Sequence, residues 1–247
     1  MIKIYTPYLT FKGRSLNALS LFSNDAITVE CVFPAAPEVA VAADASFYSE
    51  MALIPVQTHS LDVEIVSAST TLRPEADGII TFESNTPVGV VTADCVPIIL
   101  FAPDINAVAA VHAGWKGTLG GIIDNAVGIL SSYGGDPRKL IAVFGPSISV
   151  GIYEVNQELA DSFIKAGFGD CVRHGGGEDC KPHIDLQGVN AKRLLSFGLM
   201  PDNIRLSSYC SYLTQSAEGK PLLPSHRRSG GNPDRLLTRV WIKTQSR

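Results

Sequence analysis

Two apolar runs near the middle of the chain, Val88–Cys95 and Asn106–His112, each close on an ionisable side chain. A run such as Val-Gly-Val-Val-Thr-Ala-Asp-Cys is rich in β-branched residues and reads as a buried strand. A thiol or an imidazole at its end is poorly suited to filling a core. The two runs are expected to lie as neighbouring strands, so that Cys95 and His112 meet at one rim of a sheet. A third run, Ile54–His59, ends on another imidazole. One thiol and two imidazoles on three strand ends can hold a zinc ion and leave a fourth position open for chemistry. The same residues also allow a bland reading, in which each is an isolated, satisfied polar group.

Around these runs the pattern is that of an α+β protein. Short strands are expected at Ile2–Tyr5, Leu19–Phe22 and Ile27–Phe33, then an Ala-rich helix over 37–52 with Pro37 at its start. Strands dominate from 53 to 112: Ile54–His59, Asp62–Ser67, Gly78–Phe82, Val88–Cys95, Pro97–Phe101 and Ala107–His112. Beyond His112-Ala-Gly-Trp-Lys-Gly117, Thr118 is placed to cap a helix with Leu119, Ile122, Ile123, Ala126, Val127 and Leu130 on one face. Leu140–Phe144 reads as a strand, Glu154–Lys165 and Leu186–Phe197 as helices, and 169–183 as a Gly-rich loop. Ile204–Tyr209 is strand-like, Ser211–Arg228 irregular, and Leu236–Lys243 the last strand. No repeat or linker divides residues 1–247, so the expectation is a single domain of mixed β-sheets flanked by helices.

An apolar fraction of 45% is ample for a core. The net charge of −4, with both signs interspersed, argues against nucleic acid as a partner, which needs a clustered basic footprint. Pro97, Pro103 and Asp104 interrupt the longest apolar stretch before it reaches the length of a membrane span. The start, Met-Ile-Lys-Ile-Tyr-Thr-Pro, has no apolar core of a secretory signal, so a cytoplasmic setting is expected. Five irregularly spaced cysteines fit free thiols or metal ligands better than a disulfide framework.

Other candidates are weaker. Cys171-Val-Arg-His174 and Cys180-Lys-Pro-His183 make a C-x2-H…C-x2-H arrangement that can be a second zinc site or a solvated loop. Arg227-Arg228 suits bidentate binding of phosphate or carboxylate, or is simply an exposed charge pair. Lys116, before a helix start, is a lone cation. Asp94, next to Cys95, faces the other way by strand alternation and can accept from an imidazole N–H or cap the local turn.

Several of these segments are motifs in order: Gln57-Thr-His59-Ser, Thr92-Ala-Asp-Cys95-Val-Pro, Val111-His112-Ala-Gly-Trp-Lys-Gly117, Gly145-Pro146-Ser-Ile, Tyr153-Glu-Val, Ile184-Asp-Leu with Asn190, Tyr209-Cys210 and Ser225-His-Arg-Arg228. From about residue 54 onward the chain resembles the laccase-domain (YfiH-like) family, whose members have been called multicopper polyphenol oxidases and purine nucleoside phosphorylases with adenosine deaminase activity. The resemblance implies that His59, Cys95 and His112 bind one zinc and are catalytic, and that Arg227 and Arg228 bind substrate or phosphate. It implies small-molecule partners, a purine nucleoside and phosphate, and says nothing of a metal at 171–183 or of oligomeric state. This chain departs from the family pattern in its first 35 residues, in lacking the Asn-Arg pair before Gln57, and in carrying His226 where an aromatic residue is usual.

Three chemistries follow. The first is zinc-dependent phosphorolysis of adenosine, inosine or methylthioadenosine, with deamination as a variant. Zinc deaminases use a glutamate of a His-x-Glu motif as proton shuttle, and none is present, so the proton carrier is unassigned, with Asp94 and Asp77 as candidates. The second is copper-dependent phenol oxidation, since a thiolate and two imidazoles also suit copper. A multicopper cluster needs many imidazoles, and the chain has five histidines in all. The third is a metal-free hydrolase, with His112 activating Cys95 against a peptidoglycan precursor.

Overall fold

The computed structural model describes residues 4–12, 14–35, 43–174, 180–231 and 234–244. Its framework is a pair of β-sheets packed face to face. The first sheet is antiparallel, with strand order β1 (Ile4–Phe11), β2 (Arg14–Ser23), β3 (Ile27–Pro34), β13 (Leu236–Ile242) and β6 (Val88–Thr92). The second is mixed, in the order β12 (Ile204–Arg205), β9 (Ile141–Phe144), β7 (Val96–Ala102), β8 (Ala107–Ala113), β5 (Gly78–Thr81) and β4 (Val63–Ile65). Its β12/β9 and β5/β4 pairs are parallel and the rest antiparallel. The expected α+β class with mixed sheets and flanking helices is what the chain adopts.

The absence of hydrophobic alternation in β7 and β8 has a direct cause, which is burial on both faces. Ile98 and Leu100 of β7, with Ala109 and Val111 of β8, face three helices: α2 (Trp115–Gly120), α3 (Ile122–Ser132) and α5 (Leu186–Ser196). Ile99, Phe101, Val108 and Ala110 face the other sheet, where they meet Val88, Val90 and Val240. Alanines along β8 let both neighbours approach closely. His112 shares the inter-sheet face of Val108 and Ala110, so strand alternation delivers its ring to the seam between the sheets. The outer face of β6 packs Val91 against Phe47, Tyr48 and Ile54, near the short helix α1 (Ala45–Tyr48) that Asp44 caps.

Several expectations change. Val88–Cys95 and Ala107–His112 are not neighbours in one sheet: β6 pairs with β13, while β8 pairs with β7 and β5. They meet face to face, which a continuous apolar run cannot distinguish from edge pairing. Ile54–His59 is not a strand. It makes a single isolated bridge, at Val56, Pro55 offers no N–H to a ladder, and His59 takes a left-handed φ of 60°. Thr118 is no helix cap. The helix begins at Trp115 after Gly114, and Gly121 at φ 88° separates α2 from α3. The Thr118 hydroxyl instead accepts from Asn190 Nδ2 on α5 at 2.9 Å. Residues 37–42 of the expected Ala-rich helix lie outside the described residues, and only Ala45–Tyr48 of the remainder is helical. Helix α4 (Gln157–Phe163) starts later than expected because Asn156 caps it, accepting from Leu159 N–H. Within 169–183, β10 (Val172–Arg173) pairs with β11 (His183–Ile184), and within Ser211–Arg228 a short helix α6 (His226–Ser229) forms.

Gly89 on β6 faces β13 closely: a Cβ there would lie 2.9 Å from the Thr238 carbonyl oxygen and 2.8 Å from Leu237 Cδ1. Gly89→Ala is expected to cost about 1–3 kcal/mol by forcing the ladder apart. Gly128→Ala, on the exposed face of α3 with nothing within 4 Å, is expected to gain about 0.5–1 kcal/mol. Paired denaturant melts of the two variants check both signs.

Candidate metal centre

His59, Cys95 and His112 converge. Each offers one ligand atom, and these three atoms lie within 4.8 Å of one another. The Cys95 sulfur is 4.0 Å from His59 Nε2, and the two imidazoles meet edge to face with centroids 4.9 Å apart. Ligands of a tetrahedral ion with bonds of about 2.0–2.3 Å stand roughly 3.5 Å apart, so modest side-chain movement closes the set. Among the described residues this is the one such group of three or more metal-binding side chains. The donor set fits a single four-coordinate ion with one position left over.

Each ligand arrives differently. His112 closes β8 on the inter-sheet face. Cys95 lies in the three-residue crossing by which the chain leaves β6 and enters β7 in the other sheet. Asp94, in that crossing, has φ 96°, a costly conformation for a non-glycine residue. The surrounding bonds hold it there: its carboxylate accepts from Ser211 Oγ and from the Arg227 backbone N–H, both at 2.6 Å, and its carbonyl accepts from Ile148 N–H. His59 sits on a turn at the surface. Gly114 is needed because a Cβ there would lie 2.9 Å from the His59 ring and 3.2 Å from the Cys95 sulfur.

Asp77 organises two of the ligands at once. The residue is fully buried, and its Oδ1 lies 2.6 Å from His112 Nδ1. Its Oδ2 accepts from the N–H groups of Thr58 (3.0 Å) and Ser60 (2.6 Å), the two neighbours of His59. One carboxylate thereby turns His112 Nε2 toward the cluster and fixes the turn that presents His59. Burial opposes the charge on Asp77, but the bonds from His112, Ser60 and Thr58 win and hold its pKa down to about 2. Burial likewise opposes ionisation of Cys95 and His112, yet their mutual attraction dominates. The thiol falls to about 6 and the imidazole rises to about 9, with Asp77 also favouring the cation. Without metal the pair is a thiolate beside an imidazolium.

A cleft of about 550 Å³ opens onto all three ligands, and Gln57, Arg73, Thr92, His226 and Arg235 also line it. A second, of about 460 Å³, lies between Trp115, Tyr153, Glu154 and Arg227. Arg227 gives one guanidinium N–H each to the carbonyls of Ile152 and Glu154 and stacks 5.5 Å from the Tyr153 centroid. Arg228 is bound differently, with its guanidinium on the carbonyls of Ser211, Tyr212 and Leu223. The Tyr153 phenol is pushed up to about 12 by burial and by the charges of Cys95 and Asp94, against Arg227.

Among the described residues the C-x2-H pairs do not gather into a second centre. Cys171 packs in the core, where burial and Asp185 raise its thiol to about 11, while Cys180 is exposed. Neither carboxylate considered as a proton carrier is free for that work. Asp77 is enclosed and ionised, and Asp94 is committed to Ser211 and Arg227. The sequence undervalued Asp77, Gly114 and Tyr153. The one available signal for Asp77 was an acidic residue directly before the apolar strand Gly78–Thr81.

At pH 7 Asp77→Asn is expected to cost about 2–3 kcal/mol, because a depressed pKa stabilises the fold only while the group is ionised. That stability is complete above the ordinary carboxylate pKa of 3.8 and is lost as pH falls through about 2. Wild type is therefore expected to lose its advantage over the variant within this window in acid-series denaturant melts. In metal-free protein, Cys95 is expected to alkylate with a midpoint near about 6, and added zinc to suppress the reaction. Peptide mapping separates Cys95 from exposed Cys180, and an ordinary thiol profile at Cys95 would contradict the assigned charge state.

The profile of the multi-copper polyphenol oxidoreductase laccase family matches residues 36–243. A Bacteroides thetaiotaomicron protein named purine nucleoside phosphorylase is 34% identical over 205 residues, covering 78% of this chain and 74% of its own. Adenosine deaminase RL5, from an unknown prokaryotic organism, is 34% identical over 202 residues, covering 77% of this chain and 75% of its own. The crystal structure of the Bacillus licheniformis hypothetical protein YfiH superposes with a TM-score of 0.75 at 22% identity, covering 88% of this chain and 93% of its own. That of YlmD from Geobacillus stearothermophilus gives 0.69 at 22% identity, covering 97% and 94%. These two structural matches establish the fold alone, while the family profile spans most of the chain. The chain belongs to the multi-copper polyphenol oxidoreductase laccase family.

Proposed function

We propose that this chain is a zinc-dependent purine nucleoside phosphorylase, with His59, Cys95 and His112 as both its metal ligands and its catalytic centre. The observation that carries the reading is the convergence of one sulfur and two ring nitrogens within 4.8 Å, with His112 oriented by a buried carboxylate. Relatives from Bacteroides thetaiotaomicron and Deinococcus radiodurans, 34% and 33% identical, bear the name purine nucleoside phosphorylase. A thiolate and two imidazoles suit zinc, and an ion held by them supplies Lewis acidity and a net positive charge.

The chain's own residues do the rest. Asp77 keeps the His112 ring fixed. Arg227, with two of its five N–H groups committed to carbonyls, has donors left for a phosphate oxygen or for the acceptors of a purine. Arg228 serves substrate binding by anchoring the segment that carries Arg227. In the reaction a phosphate oxygen attacks the anomeric carbon of the ribose and the glycosidic C–N bond breaks. Its electron pair leaves on the purine, which takes up a proton. Five free cysteines fit the reducing cytoplasm proposed as its setting.

Deamination is the second reading, favoured by the relative named adenosine deaminase RL5. Phosphorolysis is preferred because no His-x-Glu motif provides the usual proton shuttle. Copper oxidation of phenols is disfavoured by the donor count, since five histidines cannot furnish a trinuclear cluster beside this one. A metal-free Cys95 hydrolase is separated by metal content.

Protein purified without chelators is expected to hold about one zinc per chain. It is expected to release base from adenosine, inosine or methylthioadenosine only when phosphate is present, with ribose 1-phosphate as co-product from the first two and 5-methylthioribose 1-phosphate from the third. His112→Ala is expected to lose the metal and at least about a hundredfold in kcat/KM. Ammonia release without phosphate would transfer the assignment to deamination, and undiminished turnover by the variant would remove the centre from the reaction.

A further inference from the structure

A purine that leaves with the electron pair of its glycosidic bond takes up a proton, and the two carboxylates beside the centre do not supply it. Asp77 holds His112 and the 58–60 turn, and Asp94 holds Ser211 and Arg227. A donor has to stand in the cleft of about 550 Å³ that opens onto the ligands. Besides the ligands themselves, its ionisable lining residues are Asp44, Arg73, His226 and Arg235. A guanidinium does not give up its proton, which removes both arginines. Arg73 is in addition held on the Ile54 and Pro55 carbonyls, at 2.7 Å each. Asp44 caps α1, with its carboxylate on the Phe47 N–H at 2.9 Å. His226 remains.

Its backbone is fixed while its ring is free. His226 opens α6, and the N–H of the next residue, Arg227, donates to the Asp94 carboxylate at 2.6 Å, one residue before Cys95. The buried Ser225 hydroxyl caps the same turn by accepting from Arg228 N–H at 3.2 Å. The bonds that hold the Cys95 crossing therefore also hold the start of α6. The His226 side chain is exposed, and among the described residues no hydrogen bond, ion pair or ring contact engages it. It stands outside the group of three ligand atoms gathered within 4.8 Å. An anchored backbone with an uncommitted imidazole suits a group that turns between a substrate atom and water.

Resting on the nucleoside reading above, we propose that His226 is the general acid of the reaction, giving its ring N–H proton to N7 of the purine as the C–N bond breaks. The bond's electron pair passes into the base, the proton neutralises it, and the imidazole regains a proton from water. Imidazole is the side chain best matched to such an exchange near neutral pH. The ligand cluster and His226 thereby divide the work, with the sugar and phosphate at the cluster and the departing base at the α6 wall.

Inosine and 7-methylinosine separate proton donation from every other role. The methyl group gives the second base a positive charge, so its C–N bond breaks without an added proton. His226→Gln is expected to lose about a hundredfold in kcat on inosine and to stay within about threefold of wild type on 7-methylinosine. Turnover of the methylated nucleoside also shows that the variant is folded and its centre intact. Free imidazole is expected to restore part of the inosine rate of His226→Ala, rising with its concentration. If wild type refuses 7-methylinosine, this rescue decides. An unchanged kcat on inosine, an equal loss on both nucleosides, or no rescue by imidazole would each overturn the assignment. Failure of wild type to release base from inosine with phosphate would instead bring down the nucleoside reading itself, a result distinct from these.

Discussion

The bond between the Asp77 carboxylate and the His112 ring is the interaction on which the centre depends. Asp77 has no exposed surface, so its charge is tolerated only because three hydrogen bonds converge on it. Those bonds come from two of the three elements that supply ligands. Removing the carboxylate would release the imidazole from its orientation and the 58–60 turn from its anchor together. The backbone reinforces this, because His112 N–H also donates to the Asp77 carbonyl at 2.7 Å. A carboxylate so deeply committed acts by positioning and has no proton to exchange.

The centre forms where the sheets stop being regular. Strand β6 ends at Thr92, and the chain crosses to the second sheet through Asp94 in a left-handed conformation before resuming at Val96. His59, at φ 60°, is a second strained position. Strain of this kind persists only where the surroundings over-determine it, and here the surroundings come from far along the chain. Ser211 and Arg227 clamp Asp94, and β13, the last described element, is inserted between β3 and β6. The ligands are therefore assembled by long-range contacts, and the segment carrying Arg227 is fixed to the crossing that carries Cys95.

Much of this was legible in the sequence because burial leaves a local trace. The runs that became β5 to β9 were identifiable from β-branched content, and Ile122, Ile123, Ala126, Val127 and Leu130 marked the buried stripe of α3. The convergence of His59, Cys95 and His112 was also anticipated, but for a partly mistaken reason. Two strand ends were expected to adjoin within one sheet, whereas they approach across the seam between two. An apolar run reports that both faces are covered and is silent about what covers them. Positive φ at His59 and Asp94 is imposed by distant partners, so no local signal foretold it. Arg227 and Arg228 read alike as a pair, but the carbonyls around Arg228 take three of its five N–H donors and those around Arg227 take two.

The charge state of the metal-free cluster gives the site a further property. A thiolate beside an imidazolium is already a cation–anion arrangement, with the proton on His112 standing where a metal charge would later act. In the proposed centre a bound metal would take the place of that proton, with the thiolate already formed. Asp77 stabilises the positive charge in both situations, since its negative charge is indifferent to whether proton or metal provides it. The fold itself therefore brings the three candidate ligands together. The three atoms lie within 4.8 Å of one another, and His59, on an exposed turn, is the side chain best placed to close the remaining gaps.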